Sequence, residues 1–291
     1  MSAVDVAPVP AVASRRRDFA RLLRRPTARI GAAIVLAFLL LTALAPAIAP
    51  YDPYDQDLSS ALTGPSLEHP FGADQYGRDV LSRVMVGSRT ALLAILVADG
   101  IALIAGCAMG LVAGVYGEWA DSAVMRAVDV LLAFPYLLLA LIIVAALGPS
   151  LLNSMIAIGV VYTPQYARLI RGQVLAVKTT EYVLASQAIG ASKLRITLSH
   201  ILPNSFTPVL VMATLQAGSV VVETAGLSFL GLGAQPPSPD WGAVLAEGQG
   251  YFLTAWWIAT FPGLAIFVVV IGFNLFGDAL RDHFDPRRRK A

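Results

Sequence analysis

The chain of 291 residues is 57% hydrophobic and 14% charged, with a mean hydropathy of +0.69. Soluble domains carry about a quarter of their residues as charges, so this composition excludes an ordinary soluble enzyme and describes a polytopic, all-α membrane protein. The net charge of +2 decides little, because in such proteins the placement of Lys and Arg carries the information. The single cysteine, Cys107, lies in an apolar run and reads as packing. The basic residues flank hydrophobic stretches instead of interleaving with aromatics on a polar domain, which excludes a nucleic-acid partner.

Residues 1–29 form a leader with seven Arg and a start rich in small residues and Pro, expected to stay cytoplasmic. Ile30 to Ala49 has no charge and is long enough to cross ~30 Å of hydrocarbon as a helix. The alternative is a signal peptide ending at Ala45 to Ala49, against which stand the long leader and the later spans. Residues 50–89 are acidic and rich in turn formers, an exposed outer segment that completes a unit over 30–89. Within it His69 and Asp74 could suggest a metal, but with no second His nearby a loop-bracing role fits better.

A second span is predicted over Thr90 to Tyr116, in which Gly106, Gly110 and Gly114 recur every four residues. They make either a smooth stripe for close helix packing or the ordinary glycine content of a span. Asp99 lies mid-span, where an ionised carboxylate costs at least ~2.5 kcal/mol; it either lines a pathway or bonds a neighbouring helix. Residues 117–126 read as a short turn. A third span is expected over Ala127 to Leu147, with Asp129 near its start and a kink at Phe134-Pro135. The fourth, Leu151 to Leu175, holds Pro164 at its middle and reads as a broken helix of the kind that borders a pathway.

Residues 178–204 are the one long polar, basic interruption in the second half. The run from Tyr182 to Ile189 is free of Pro and Gly, Gly190 can take positive φ as a C-terminal cap, and Ser192 can N-cap the next turn of helix, so two short helices meeting at a corner are predicted. In the second helix Leu194, Leu198 and Ile201 share a face beside Lys193, Arg195 and His200, and Pro203 either ends it or opens the next helix. The fifth span, Ser205 to Leu227, carries Glu223 near its outer end. Asp240 is placed to N-cap a short outer helix reaching Glu247, and a sixth span closes a five-helix core over 90–280 before the basic tail 281–291.

Four stretches resemble the dipeptide/oligopeptide/nickel class of ABC importer permeases, in their C-type subunit. They are HPFGADQYGRDVLSR at 69–83, LSFLGLG followed by PPSPDWG at 227–242, the stretch 261–281, and the central loop. The family's loop pattern is Glu-Ala-Ala, three residues, Gly, nine residues, Ile-x-Leu-Pro; here those places hold Leu184, Ala185, Ser186, Gly190, His200, Leu202 and Pro203. Leu184, Ser186 and His200 depart from it, while Glu181 lies three residues early, so no carboxylate stands at the pattern's Glu position to form a salt bridge.

The resemblance implies a permease fold of six spans with both termini cytoplasmic in a bacterial inner membrane. It also implies a second, B-type permease subunit, one or two cytoplasmic ATPase subunits that bind the ATP and Mg, an extracytoplasmic binding protein, and peptide as cargo. In the loop, Ala185 and Gly190 would serve close fit, Leu194 and Leu198 would enter the ATPase socket, and Lys193 and Arg195 would form its rim. The orientation can be tested within the sequence: it puts 18 of the 21 basic residues inside, as the positive-inside rule requires. No GxxxxGK[ST], HExxH, GxSxG or His/Cys cluster occurs, so no catalytic residue, cofactor or metal is assigned to this chain. The other readings are a permease of the same class for nickel or another small solute, an ion-coupled carrier with Asp99 and Glu223 as proton sites, and a non-transporting scaffold.

Overall fold

The computed structural model describes residues 25–284; the first 24 residues of the leader and the basic tail from position 285 lie outside the described residues. Helix α1 is Pro26–Ile48, opened by Pro26 at its first turn, where a missing N–H costs nothing. Helix α2 runs over Val80–Tyr116 with one π-helical turn at Ile95–Asp99. Its start lies ten residues ahead of the predicted span, because Asp79 caps it by accepting from Ser82 N at 2.7 Å, so the outer segment ends at 79.

The predicted turn at 117–126 is instead helical. Only Gly117 interrupts, at φ +68, and α3 then occupies Glu118–Ala133. The third span is not a kinked helix: α3 and α4, Tyr136–Leu147, meet at 95°. Pro135 offers no N–H and holds Phe134 in an extended conformation (φ −85, ψ 139), which turns the expected kink into a corner.

Helix α5, Leu151–Lys178, passes through Pro164 unbroken, against the expected break. Pro164 is buried, and on either side of it Tyr162 and Tyr166 tie the helix to Glu223 and Asp99 of its neighbours. Helix α6, Glu181–Ala188, and α7, Lys193–Ile196, form the central loop; a π turn at Thr197–Ile201 then carries the chain without interruption into α8, Leu202–Phe229. Pro203 therefore sits in the first turn of α8 and breaks nothing. Helix α9 is Trp241–Gln249, capped by Asp240 as expected, and α10 is Trp257–Phe284. There is no β-strand among the described residues.

Glycines set the closest helix contacts. A Cβ at Gly106 would lie 2.4 Å from Tyr166 Cβ, one at Gly110 2.5 Å from Ala167 O, and one at Gly114 2.6 Å from Val174, so the predicted stripe packs α2 against α5 in parallel. Gly31 and Gly272 do the same for α1 and α10, and Phe38 packs edge-on against Phe273 at 6.0 Å. Among the described residues four helices are long and apolar enough to cross a membrane, five if the bent α3–α4 pair counts as one; α5, at 28 residues, reaches about 42 Å.

Candidate functional site

The central loop folds as the corner its sequence predicts. Gly190 takes φ +84 and ends α6, and Ser192 Oγ accepts from Arg195 N at 3.3 Å to start α7. Val183, Ile196 and Ile201 are buried against Ile170, Val174 and Val177 of α5, which fixes the elbow on the end of that rod. The opposite side is apolar and open, with Leu184, Ile189, Leu194, Leu198 and Leu202 between 44% and 86% exposed. Glu181, Ala185, Lys193, Arg195 and Pro203 are also exposed.

The structure revises the apolar face expected of α7: Leu194 and Leu198 look outward, while Ile201 turns into the core. The π turn adds a residue between them and rotates the later positions away. Glu181 makes no ion pair among the described residues, and Lys193 instead lies over the Tyr116 ring, 5.7 Å from its centroid. Two of the departures from the family pattern meet each other, with Ser186 Oγ 3.2 Å from His200 Nε2. Tyr182 closes edge-on against His200, and Asn204 Nδ2 donates to His200 O at 2.6 Å, a brace that sequence reading missed.

Further into the bundle, α5 places two tyrosines one turn apart against two carboxylates on different helices. Tyr166 Oη donates to Asp99 Oδ1 of α2 at 2.5 Å, and Tyr162 Oη donates to Glu223 Oε1 of α8 at 2.5 Å. Asp99 is 8% exposed and sealed, so the helix bond, of the two roles open to it, is the one the geometry displays; Glu223 stays partly exposed. Gln216 of α8 and Gln165 of α5 join at 3.3 Å on the same seam. Asp129 belongs to no such buried pair: 61% exposed, it accepts from Arg168 Nη2 at 2.6 Å. Nearby, Arg171 clamps Asp121 through two bonds of 2.5 and 2.6 Å, and Lys178 Nζ caps α2 by donating to Gly114 O and Val115 O.

At the far end, under the outer segment, Arg78 and Arg83 are fully buried. Arg78 donates to Asp74 and Glu247 at 2.6 Å each, and Arg83 to Glu247 at 3.0 Å. Two cations and two anions thus close a neutral cluster linking the outer segment to α9. His69 Nδ1 lies 2.9 Å from Asp79 Oδ1, with its ring on Tyr51, so it braces the loop as expected. Burial pushes the Asp240 carboxyl above its ordinary value, while the N–H groups of Ala243 and Gly242 and bonds from Ser228 and Thr90 pull it back. Among the described residues no three His, Cys, Asp or Glu side chains group as a metal site.

Comparison with known proteins places these features in a family. Residues 106–290 match the family described as binding-protein-dependent transport system inner membrane component, and residues 14–65 match the N-terminal transmembrane domain of oligopeptide transport permease C. The chain is 43% identical to a dipeptide transport system permease protein of Alkalihalophilus pseudofirmus over 96% of its own length and 92% of the relative's. It is 46% identical to a probable D,D-dipeptide transport system permease protein of Escherichia coli K12, over 90% of this chain and 88% of the relative. A glutathione transport system permease protein of Escherichia coli O157:H7 is 42% identical, over 93% and 90% respectively.

Proposed function

This chain belongs to the family of binding-protein-dependent transport system inner membrane components, and we propose that it forms one half of a peptide pathway driven by ATPase subunits that grip its elbow. The chain itself is a multi-pass inner-membrane permease subunit of an ABC importer. On this reading six segments cross the membrane with both termini inside, α5 serving as a span despite Arg168 and Arg171 near its inner end. A B-type permease completes the pathway, and a binding protein delivers cargo to the outer side. Peptide is the cargo, since the relatives named above carry dipeptide, D,D-dipeptide or glutathione in their names.

The observation that carries the proposal is the elbow's two faces. One face is seated on α5 by Val183, Ile196 and Ile201, and the other leaves five large apolar side chains open beside Lys193 and Arg195. An exposed apolar patch rimmed by charge marks a protein contact. The binding of ATP draws the ATPase subunits together, and the elbow passes that movement to α5 and α8. Co-expression with neighbouring permease, ATPase and binding-protein genes, followed by uptake of labelled dipeptide into proteoliposomes, tests the reading. Uptake should need internal ATP and the binding protein; uptake by this chain alone, or driven by an ion gradient without ATP, would refute it.

A further inference from the structure

Among the described residues, Glu223 is the carboxylate of the bundle interior that keeps an open side. Its Oε1 is held by Tyr162 Oη at 2.5 Å, and among the described residues its Oε2 accepts no hydrogen bond and the group makes no ion pair. No Lys or Arg occurs between positions 202 and 280, so neither α8 nor the outer half of α10 supplies a counter-charge. The face around it is cleared: Ser219, one turn before, is exposed, and a Cβ added at Gly226, one turn after, would meet nothing within 4 Å. A charged side chain is costly when it faces hydrocarbon, so such a group faces a water-filled cavity or a partner charge. Asp99 shows the contrast, since its pair with Tyr166 is closed over and has no room for a ligand.

We propose that Glu223 is a cation-recognition point of the translocation pathway, taking the side-chain ammonium of a passing lysine-bearing peptide on Oε2 while Tyr162 holds the carboxylate in position. The proposal rests on the import reading given above. Glu223 lies six residues, about 9 Å, before the end of α8 remote from the elbow, at the half of the pathway that cargo enters first. One fixed donor sets the direction of the carboxylate without neutralising it, and an ammonium carrying three N–H donors suits the free oxygen. A single contact of this kind guides cargo and lets it go again, as transport requires.

The test uses the whole complex in proteoliposomes with Lys-Lys and Glu-Glu dipeptides as probes. Glu223→Gln keeps the shape and the bond from Tyr162 but removes the charge. The initial rate of Lys-Lys uptake should fall about tenfold, with Glu-Glu uptake and ATP hydrolysis changing less than twofold. Tyr162→Phe should lower Lys-Lys uptake selectively by a smaller factor, and it serves as the second variant should Glu223→Gln fail to assemble. Equal effects on the two peptides in whichever of these variants assembles would overturn the proposal. A wild-type complex that imports neither peptide would instead remove the import reading beneath it.

Discussion

Gly106→Ala tests how the glycine stripe and the Tyr166–Asp99 bond depend on one another. The new Cβ would sit 2.4 Å from Tyr166 Cβ, and ordinary contact begins at 3.4 Å, so α2 and α5 must separate locally by about 1.0 Å. The same movement stretches the Tyr166–Asp99 bond from 2.5 Å to about 3.5 Å, beyond hydrogen-bonding range. Overpacking costs ~1–3 kcal/mol, and a buried carboxylate left without its donor a further ~1–3 kcal/mol, giving about 2–6 kcal/mol together. Tyr166→Phe alone should cost only the second part.

The two changes should therefore not add. In the double variant the bond is already lost, so Tyr166→Phe should cost almost nothing beyond Gly106→Ala, a coupling of ~1–3 kcal/mol. Equilibrium unfolding of the four proteins in mixed micelles with increasing SDS measures it. Additive costs, or a Gly106→Ala protein within about 1 kcal/mol of wild type, would show that packing and the hydrogen bond are independent.

Three further outcomes are expected from the geometry. Gly190→Trp should leave the protein in the membrane but cut ATPase co-purification about tenfold, because a side chain there meets nothing of this chain within 4 Å; Gly190→Ala, with the same φ of +84 but no bulk, separates backbone strain from obstruction. Glu247→Gln leaves the buried Arg78 and Arg83 to share Asp74 and should cost ~3–5 kcal/mol, seen as a sharp loss of folded protein by size-exclusion chromatography. Asp129→Asn, which breaks a pair more than half exposed on both sides, should shift the thermal midpoint by no more than a stability change of ~1 kcal/mol allows.

What the sequence disclosed was local, and what it hid was distant. Gly190, Ser192 and Asp240 act within three residues of themselves, so the corner of the elbow and the start of α9 could be read directly. The start of α2 could not: Arg83 read as a surface charge, because the Glu247 that neutralises it lies 164 positions away. Pro164 read as a break because helix propensity knows nothing of Tyr162 and Tyr166, which fasten the rod to its neighbours on either side of it. Nothing in the sequence singled out those tyrosines, since only their partners on other helices give them a polar role. At Phe134-Pro135 the breaker was seen and its size was not, because the angle depends on where α4 packs afterwards.

The unbroken rods bear on how the proposed elbow can act. From Lys193 through the π turn to Phe229 the chain is helical for 37 residues, about 55 Å, and Glu223 lies ~45 Å along it. Helix α5 runs alongside for 28 residues, its inner end tied to α2 by Lys178 and its body crossing to α8 through Tyr162 and Glu223. With no proline breaking either rod, a push on the elbow does not dissipate in a hinge. It reaches the pathway as a shift of α8 against α5. That shift has to carry or break the Tyr162–Glu223 bond, the joint between the two rods at the end remote from the elbow. The group proposed to meet the cargo is thus also the group whose geometry the ATPase stroke would alter, so cargo contact and stroke would bear on one carboxylate.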